Sequence, residues 1–118
     1  MERVIKDSYL RGLLFHLGVT ANHLRFFHTA AAVQLAMEQP RRLTLVTKLL
    51  YPDVARQFHT SWRAVEKNIR EASEDAWRDN PGLLRKLAGY DIPERPTAAE
   101  FVSILAKALY DISADKSK

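Results

Sequence analysis

Pro52–Trp77 reads PDVARQFHTSWRAVEKNIREASEDAW, and the periodicity of this stretch decides the fold. On a 3.6-residue repeat, Trp62, Val65, Ile69, Ala72 and Ala76 fall on one stripe. Arg63, Glu66, Lys67, Arg70 and Glu74 fall on another, more than a quarter-turn away. The first stripe needs a core, whereas the second lines up guanidinium, ammonium and carboxylate groups. Just upstream, residues 53–58 predict a short helix with Val54, Ala55 and Phe58 turned inward. Ala55 is small enough for two helices to cross steeply with their backbones nearly touching. His59-Thr60-Ser61 supplies a tight turn, and Thr60 or Ser61 caps a helix of about 18 residues, roughly 27 Å long. A short helix bracing a longer one with bases on its outer face is the helix-turn-helix arrangement. Its second helix, residues 61–78 here, would then enter the major groove of double-stranded DNA.

Charge is distributed to match. The net charge is +4 with a pI near 9.6, a weak hint of a polyanionic partner. Between Arg41 and Arg70, however, seven bases face two acids, and the ten residues that follow carry −3. Positive charge is thus concentrated on the candidate element and reverses just past it.

The chain outward from this stretch predicts an all-α domain, a bundle of about six or seven helices. Its 118 residues have the size of one domain, able to bury roughly two-thirds of its unfolded surface. The predicted core spans about 4–112, with a frayed tail over 113–118. Residues 4–17 predict a helix with Ile5, Tyr9, Leu13 and Leu17 inward and Gly18 as its C-terminal stop. Thr20 is placed to cap a second helix running to about Met37 or Glu38, with Leu24, Phe27, Ala31 and Leu35 as its main apolar stripe. The run Thr29-Ala30-Ala31-Ala32 suggests close approach of another helix. A third helix over 43–50 would bury Leu45, Val46, Leu49 and Leu50. Pro52 predicts an extended Tyr51 and a break there. Asn80-Pro81 opens a short helix that Gly89 ends, residues 90–96 form a loop, and Thr97 with Glu100 has capping-box spacing. The last helix directs Phe101, Val102, Leu105, Ala108, Leu109 and Ile112 inward. Phe15, Phe26, Phe27, Trp77 and Tyr90 are also expected in the core. Trp62 either anchors the start of its helix or lies partly exposed beside a DNA backbone.

Catalytic chemistry finds no footing. Without cysteine there is no disulfide, thiolate nucleophile or cysteine-based zinc site. His23 and His28 lie about 140° apart on a helix, so they do not share a face for a metal. Neither GxSxG nor a glycine-rich phosphate loop occurs, and Ser61 near His59 is better explained as cap and turn. Glu71, Glu74 and Asp75 read as a solvated acidic helix end. No enzyme, metal or cofactor is expected. Lys6, Asp7 and Arg11 interrupt any signal-peptide core, and no apolar run approaches the roughly 18 residues of a membrane span. A cytoplasmic, nucleoid-associated protein follows.

On the outer face, Arg63, Glu66, Lys67 and Arg70 suit base reading. Arginine pairs bidentately with the O6/N7 edge of guanine, and glutamate accepts from the cytosine amino group. Lys48, Arg56, His59, Thr60 and Ser61 are the candidates for phosphate contacts. The plainer reading is a solvated helix with a Glu66–Arg70 ion pair worth a few tenths of a kcal/mol. A helical protein-interaction module is the alternative function, and RNA binding ranks third for want of a stacking surface.

The block Leu50-Tyr51-Pro52-Asp53 with Ala55 and Phe58, followed by Val65-Glu66, Ile69-Arg70 and Ala76-Trp77, resembles the C-terminal DNA-binding effector domain of the stage-zero sporulation response regulators. Gly18-Val19, Gly89-Tyr90, Pro96-Thr97 and Glu100-Phe101 extend the likeness over about residues 10–110. The resemblance implies binding to TGTCGAA-type boxes, often as tandem head-to-tail copies. It also implies contacts with RNA polymerase or a sigma factor. It places base reading at Ala64, Glu66, Lys67 and Arg70. Glu66 and Arg70 match, Lys67 and Ala64 each replace an arginine, and Arg63 is next door. The segment between Trp77 and Phe101 is shorter than the family's. Family members usually carry a phosphoacceptor receiver, for which this chain has no room.

Overall fold

A computed structural model describes residues 2–21 and 23–116, with side chains over 8–21 and 23–112. Along the chain run α1 (Glu2–Leu17), α2 (Leu24–Glu38), a 3₁₀ segment (Pro40–Thr44), α3 (Val46–Leu49), α4 (Tyr51–Gln57), α5 (Trp62–Asp79), α6 (Pro81–Ala88) and α7 (Ala98–Lys116). No strand occurs among the described residues, and the fold is the all-α bundle expected.

α5 is the central strut, touching α1, α2, α4, α6 and α7. Val65, Ile69, Ala72 and Ala76 are fully buried, so the apolar stripe read from sequence is its core face. Burying a Val- or Ile-sized side chain stabilises by about 1.5–3 kcal/mol, which is why so short a stripe can orient a helix. Ala31, Ala32 and Ala36 on α2 are buried and small, allowing α2 to lie close to its neighbours α5 and α7. From the other side α7 contributes Phe101, Val102, Leu105 and Leu109, all as expected. Ser73 is polar and fully buried on α5; its hydroxyl donates to the Pro96 carbonyl at 2.8 Å and ties the 90–97 loop to the core.

The helix ends follow local chemistry. The Asn80 side chain accepts from the Leu83 amide at 3.2 Å, with Pro81 in the first turn, and Gly89 (φ 80°) closes α6 in the left-handed region. Thr97 and Glu100 form the reciprocal capping box, at 2.9 and 3.2 Å. Gly18 (φ 97°) ends α1, with Val19 N–H donating to Leu14 O at 2.8 Å and Gly18 N–H to Phe15 O at 3.0 Å, the Schellman pattern. A Cβ on Gly18 would stand 2.6 Å from Asp79 Oδ2, so the end of α1 is seated directly on the end of α5.

Several expectations fail, mostly before residue 52. The core face of α1 is Leu10, Leu14 and Leu17, one residue away from Tyr9 and Leu13; Tyr9 is exposed. The side chain of Ile5 lies outside the described residues. Leucines lie on two adjacent stripes here, and packing against α5 and α7 selects one. α2 begins at Leu24 after an extended His23 with no side-chain cap, so Thr20 does not cap it. Leu24 (62% exposed) and Phe27 lie at the surface, and Phe26, Thr29, Ala32, Val33 and Ala36 face inward with Ala31. The single helix expected over 43–50 is a 3₁₀ segment followed by one α turn; Leu45 is exposed. The break lies at Leu50 (φ −120°, ψ −61°), while Tyr51 is already helical and buried. Phe15 (67% exposed), Phe27 and Tyr90 are surface aromatics rather than core. Trp77 is half-buried beneath the Arg85 guanidinium, 4.8 Å from its ring centre. Asp75, expected in a solvated acidic end, is buried and paired with Arg25 at 3.2 Å and Arg78 at 3.3 Å. α7 runs to Lys116, past the end expected at 112; Ser117 and Lys118 lie outside the described residues.

Candidate nucleic-acid interface

α4, the turn at 58–61 and α5 form the helix-turn-helix. α4 packs on α5 and buries Tyr51, Val54 and Ala55. It closes as α1 does: Thr60 N–H donates to Ala55 O at 3.0 Å and His59 N–H to Arg56 O at 3.5 Å. Here the left-handed position is held by His59 (φ 53°) instead of glycine. That conformation costs an L-residue roughly 1–2 kcal/mol, and histidine is among the few that adopt it more readily. Ser61, rather than Thr60, caps α5, its hydroxyl oxygen accepting from the Ala64 amide at 3.2 Å.

Behind the turn lies a polar contact that sequence reading missed. His28, buried on α2, accepts at Nδ1 from the Asn68 side-chain amide at 3.0 Å. Its ring meets Phe58 edge to face at 4.7 Å. One imidazole thereby links α2 to the turn and to α5, and burial pushes its pKa below the ordinary 6.5. Forty residues separate His28 from Asn68 in sequence, so no local pattern signals the pair.

The four candidate base-reading residues share the solvent side of α5. Arg63 and Lys67 are exposed, whereas Glu66 and Arg70 are half-exposed and joined, Arg70 Nη1 donating to Glu66 Oε1 at 2.7 Å. The plain i,i+4 ion pair is therefore present. Tyr51 lies close enough for the Glu66 charge to act on it: burial first, and then that carboxylate, raise its phenol to about 12. The Arg63 guanidinium lies over the Trp62 ring, 5.1 Å from its centre. Neither Arg63 nor Lys67 has an ion pair among the described residues.

The phosphate candidates are less uniform. Lys48 in α3, His59, Thr60 and Ser61 are exposed. Arg56 is exposed but bonded to Asp53, whose other oxygen accepts from Arg42. Arg42 also donates to the Leu49 carbonyl at 3.2 Å, pinning the 3₁₀ segment to α3 and α4. Reading the sequence missed this clamp because its members sit on separate short elements. Trp62, whose placement the sequence left open, is 36% exposed at the first position of α5.

No group of metal-binding side chains occurs among the described residues, and no described helix is long and apolar enough to cross a membrane. Compared with known families, residues 10–109 match the model described as sporulation initiation factor Spo0A C terminal.

Proposed function

Because the chain belongs to the Spo0A C-terminal family of sporulation initiation factors, a DNA-binding regulatory family and not an enzyme family, we propose that it is a sequence-specific regulator of transcription that lays α5 in the major groove of double-stranded DNA. One observation carries this reading: α5 is fully buried along one face and presents an open row of Arg63, Glu66, Lys67 and Arg70 along the other. Arg63 and Arg70 are a heptad apart, within about 20° around the axis. Their rise of about 10.5 Å matches roughly three base steps of 3.4 Å. Glu66, Lys67 and Arg70 contact bases with Arg63 beside them; Lys48, Arg56, His59, Thr60 and Ser61 approach phosphates. Tandem copies on adjacent boxes and a contact with RNA polymerase or a sigma factor complete the proposal. The whole of 1–118 acts as one such domain.

Magnitudes favour this over the ion pair as an end in itself. The Glu66–Arg70 pair contributes a few tenths of a kcal/mol on an exposed face, whereas a bidentate arginine–guanine contact discriminates by about 1–3 kcal/mol. Docking can therefore open the pair at small cost. The competing reading, a helical module that binds a protein regulator, draws on the same observation, since Glu66 and Arg70 already satisfy one another. Fluorescence polarisation with a TGTCGAA-type duplex against a scrambled one separates the two. The expected result is preference for the box, loss of roughly 1–3 kcal/mol on that box in Arg70→Ala, and affinity that falls log-linearly with salt. Equal loss on both duplexes contradicts base reading, and no binding to either favours the protein module.

A further inference from the structure

Trp62 stands at the first position of α5, about one-third exposed, whereas the rest of its apolar stripe is buried. Trp62 meets the guanidinium of the adjacent Arg63 over its ring. An exposed cation–π contact of this kind shifts a conformer population about two- to fivefold. That matters because Arg63 is otherwise a long side chain with nothing to hold it. Glu66, the nearest acid on its face, is occupied by Arg70. Among the described residues no acceptor engages the Arg63 guanidinium, so its donors stay available while it lies over the indole. Ala64, beside it, presents only a methyl group and cannot compete for the same space.

Resting on the DNA-reading function above, we propose that Trp62 is a positioning residue which holds Arg63 as a specificity-determining arginine, aimed at the O6/N7 edge of a guanine at the end of the site met by the N-terminus of α5. A guanidinium stacked on a ring keeps its in-plane N–H groups directed outward, which is the geometry that a bidentate pair with guanine requires. Held this way, Arg63 reaches the base edge with less rotamer freedom to lose. The same stack in the free and bound protein makes Trp62 act through Arg63 and not through a DNA contact of its own.

The test starts with selection of bound sites from random duplex by the full chain. Affinities for the selected and a scrambled duplex are then measured with Arg63→Ala, Trp62→Ala, Trp62→Phe and the double variant, alongside thermal melting. Arg63→Ala should lose roughly 5- to 150-fold on the selected duplex, little on the scrambled one, and relax a guanine preference at one terminal position. Trp62→Ala should lose about two- to fivefold and relax the same position. Trp62→Phe should restore most of the loss, and Trp62→Ala should add nothing in the Arg63→Ala background. Equal losses on both duplexes, additive losses, or an unchanged base preference overturn the proposal. If Trp62→Ala lowers the melting temperature, Arg63→Ala and Trp62→Phe still decide the matter. A wild-type chain that selects no sequence removes both this proposal and the function it rests on. A selected site that Arg70→Ala relaxes and the Arg63 and Trp62 variants do not removes this proposal alone.

Discussion

α2 and α5 lie side by side through the core, yet only α5 could be oriented from its sequence. On α5 every position of the predicted stripe except Trp62 is buried, and Arg63, Glu66, Lys67, Arg70 and Glu74 lie on the open side, with Asp75 the one charged residue of the helix that is buried. α2 offers Leu24, Phe26, Phe27, Ala30, Ala31, Ala32, Val33 and Leu35 around most of its circumference, so several stripes are nearly equal in apolar content. The difference shows what binary patterning can do. Water selects a helix face by itself only where turning the helix would bury charge; where it would merely exchange one apolar residue for another, the neighbours choose.

The sharpest way to break this comparison is to remove a contact on the face that sequence did identify. Ile69→Ala should destabilise by roughly 2–5 kcal/mol, read from the denaturant midpoint, because it opens a cavity at the centre of the strut. A cost below 1 kcal/mol would mean that α5 is not the element around which the rest packs. The junction of α1 with α5 should be nearly as sensitive. Gly18→Ala forces a left-handed residue to carry a Cβ 2.6 Å from Asp79 Oδ2, and should cost roughly 2–4 kcal/mol. Little change in melting would show that the two helix ends are not seated on each other.

The link from α2 to α5 predicts a pH effect. His28 is held neutral by burial, so its pKa is lower in the folded chain than in the unfolded one. The unfolded state then binds more protons as pH falls below 6.5, and stability that is complete above 6.5 is lost toward the lower folded value. Wild type should therefore lose more stability between pH 6.5 and 5 than His28→Gln, which can keep a hydrogen bond to Asn68 without titrating. Parallel curves would remove the link. The smallest effect is expected at Phe15, an aromatic residue that the sequence reading assigned to the core and the structure leaves 67% exposed. Phe15→Ser should change stability by less than about 0.5 kcal/mol, whereas a large loss would return Phe15 to the core.

The candidate site was more legible than the fold around it. Arg63, Glu66, Lys67 and Arg70 are four residues of one helix, so their common side follows from spacing alone. The turn that sets their helix was legible as His59-Thr60-Ser61 with Thr60 or Ser61 as cap; that Ser61 is the cap and that His59 takes the left-handed position came only with the structure. The parts that escaped are long-range or carried by weakly defined segments. Arg42, Asp53 and Arg56 come together from the 3₁₀ segment and α4, and His28 meets Asn68 from another helix. No periodicity connects such residues, because their proximity is created by the packing of elements and not by the geometry of one.

By itself the sequence determined the helical class, the segregated faces of α5 and α7, the helix stops at Gly18 and Gly89, and the helix starts at Asn80-Pro81 and Thr97–Glu100. Each depends on interactions within about one helical turn, whose strength is set by residue type and spacing. Tertiary structure alone decided which stripes of α1 and α2 turn inward, where the chain breaks between Pro40 and Tyr51, and that Asp75 is buried between two arginines. It also left Trp62 about one-third exposed, with the Arg63 guanidinium over its ring. Those outcomes are choices among local options of similar free energy, and only the summed contacts of distant residues separate them.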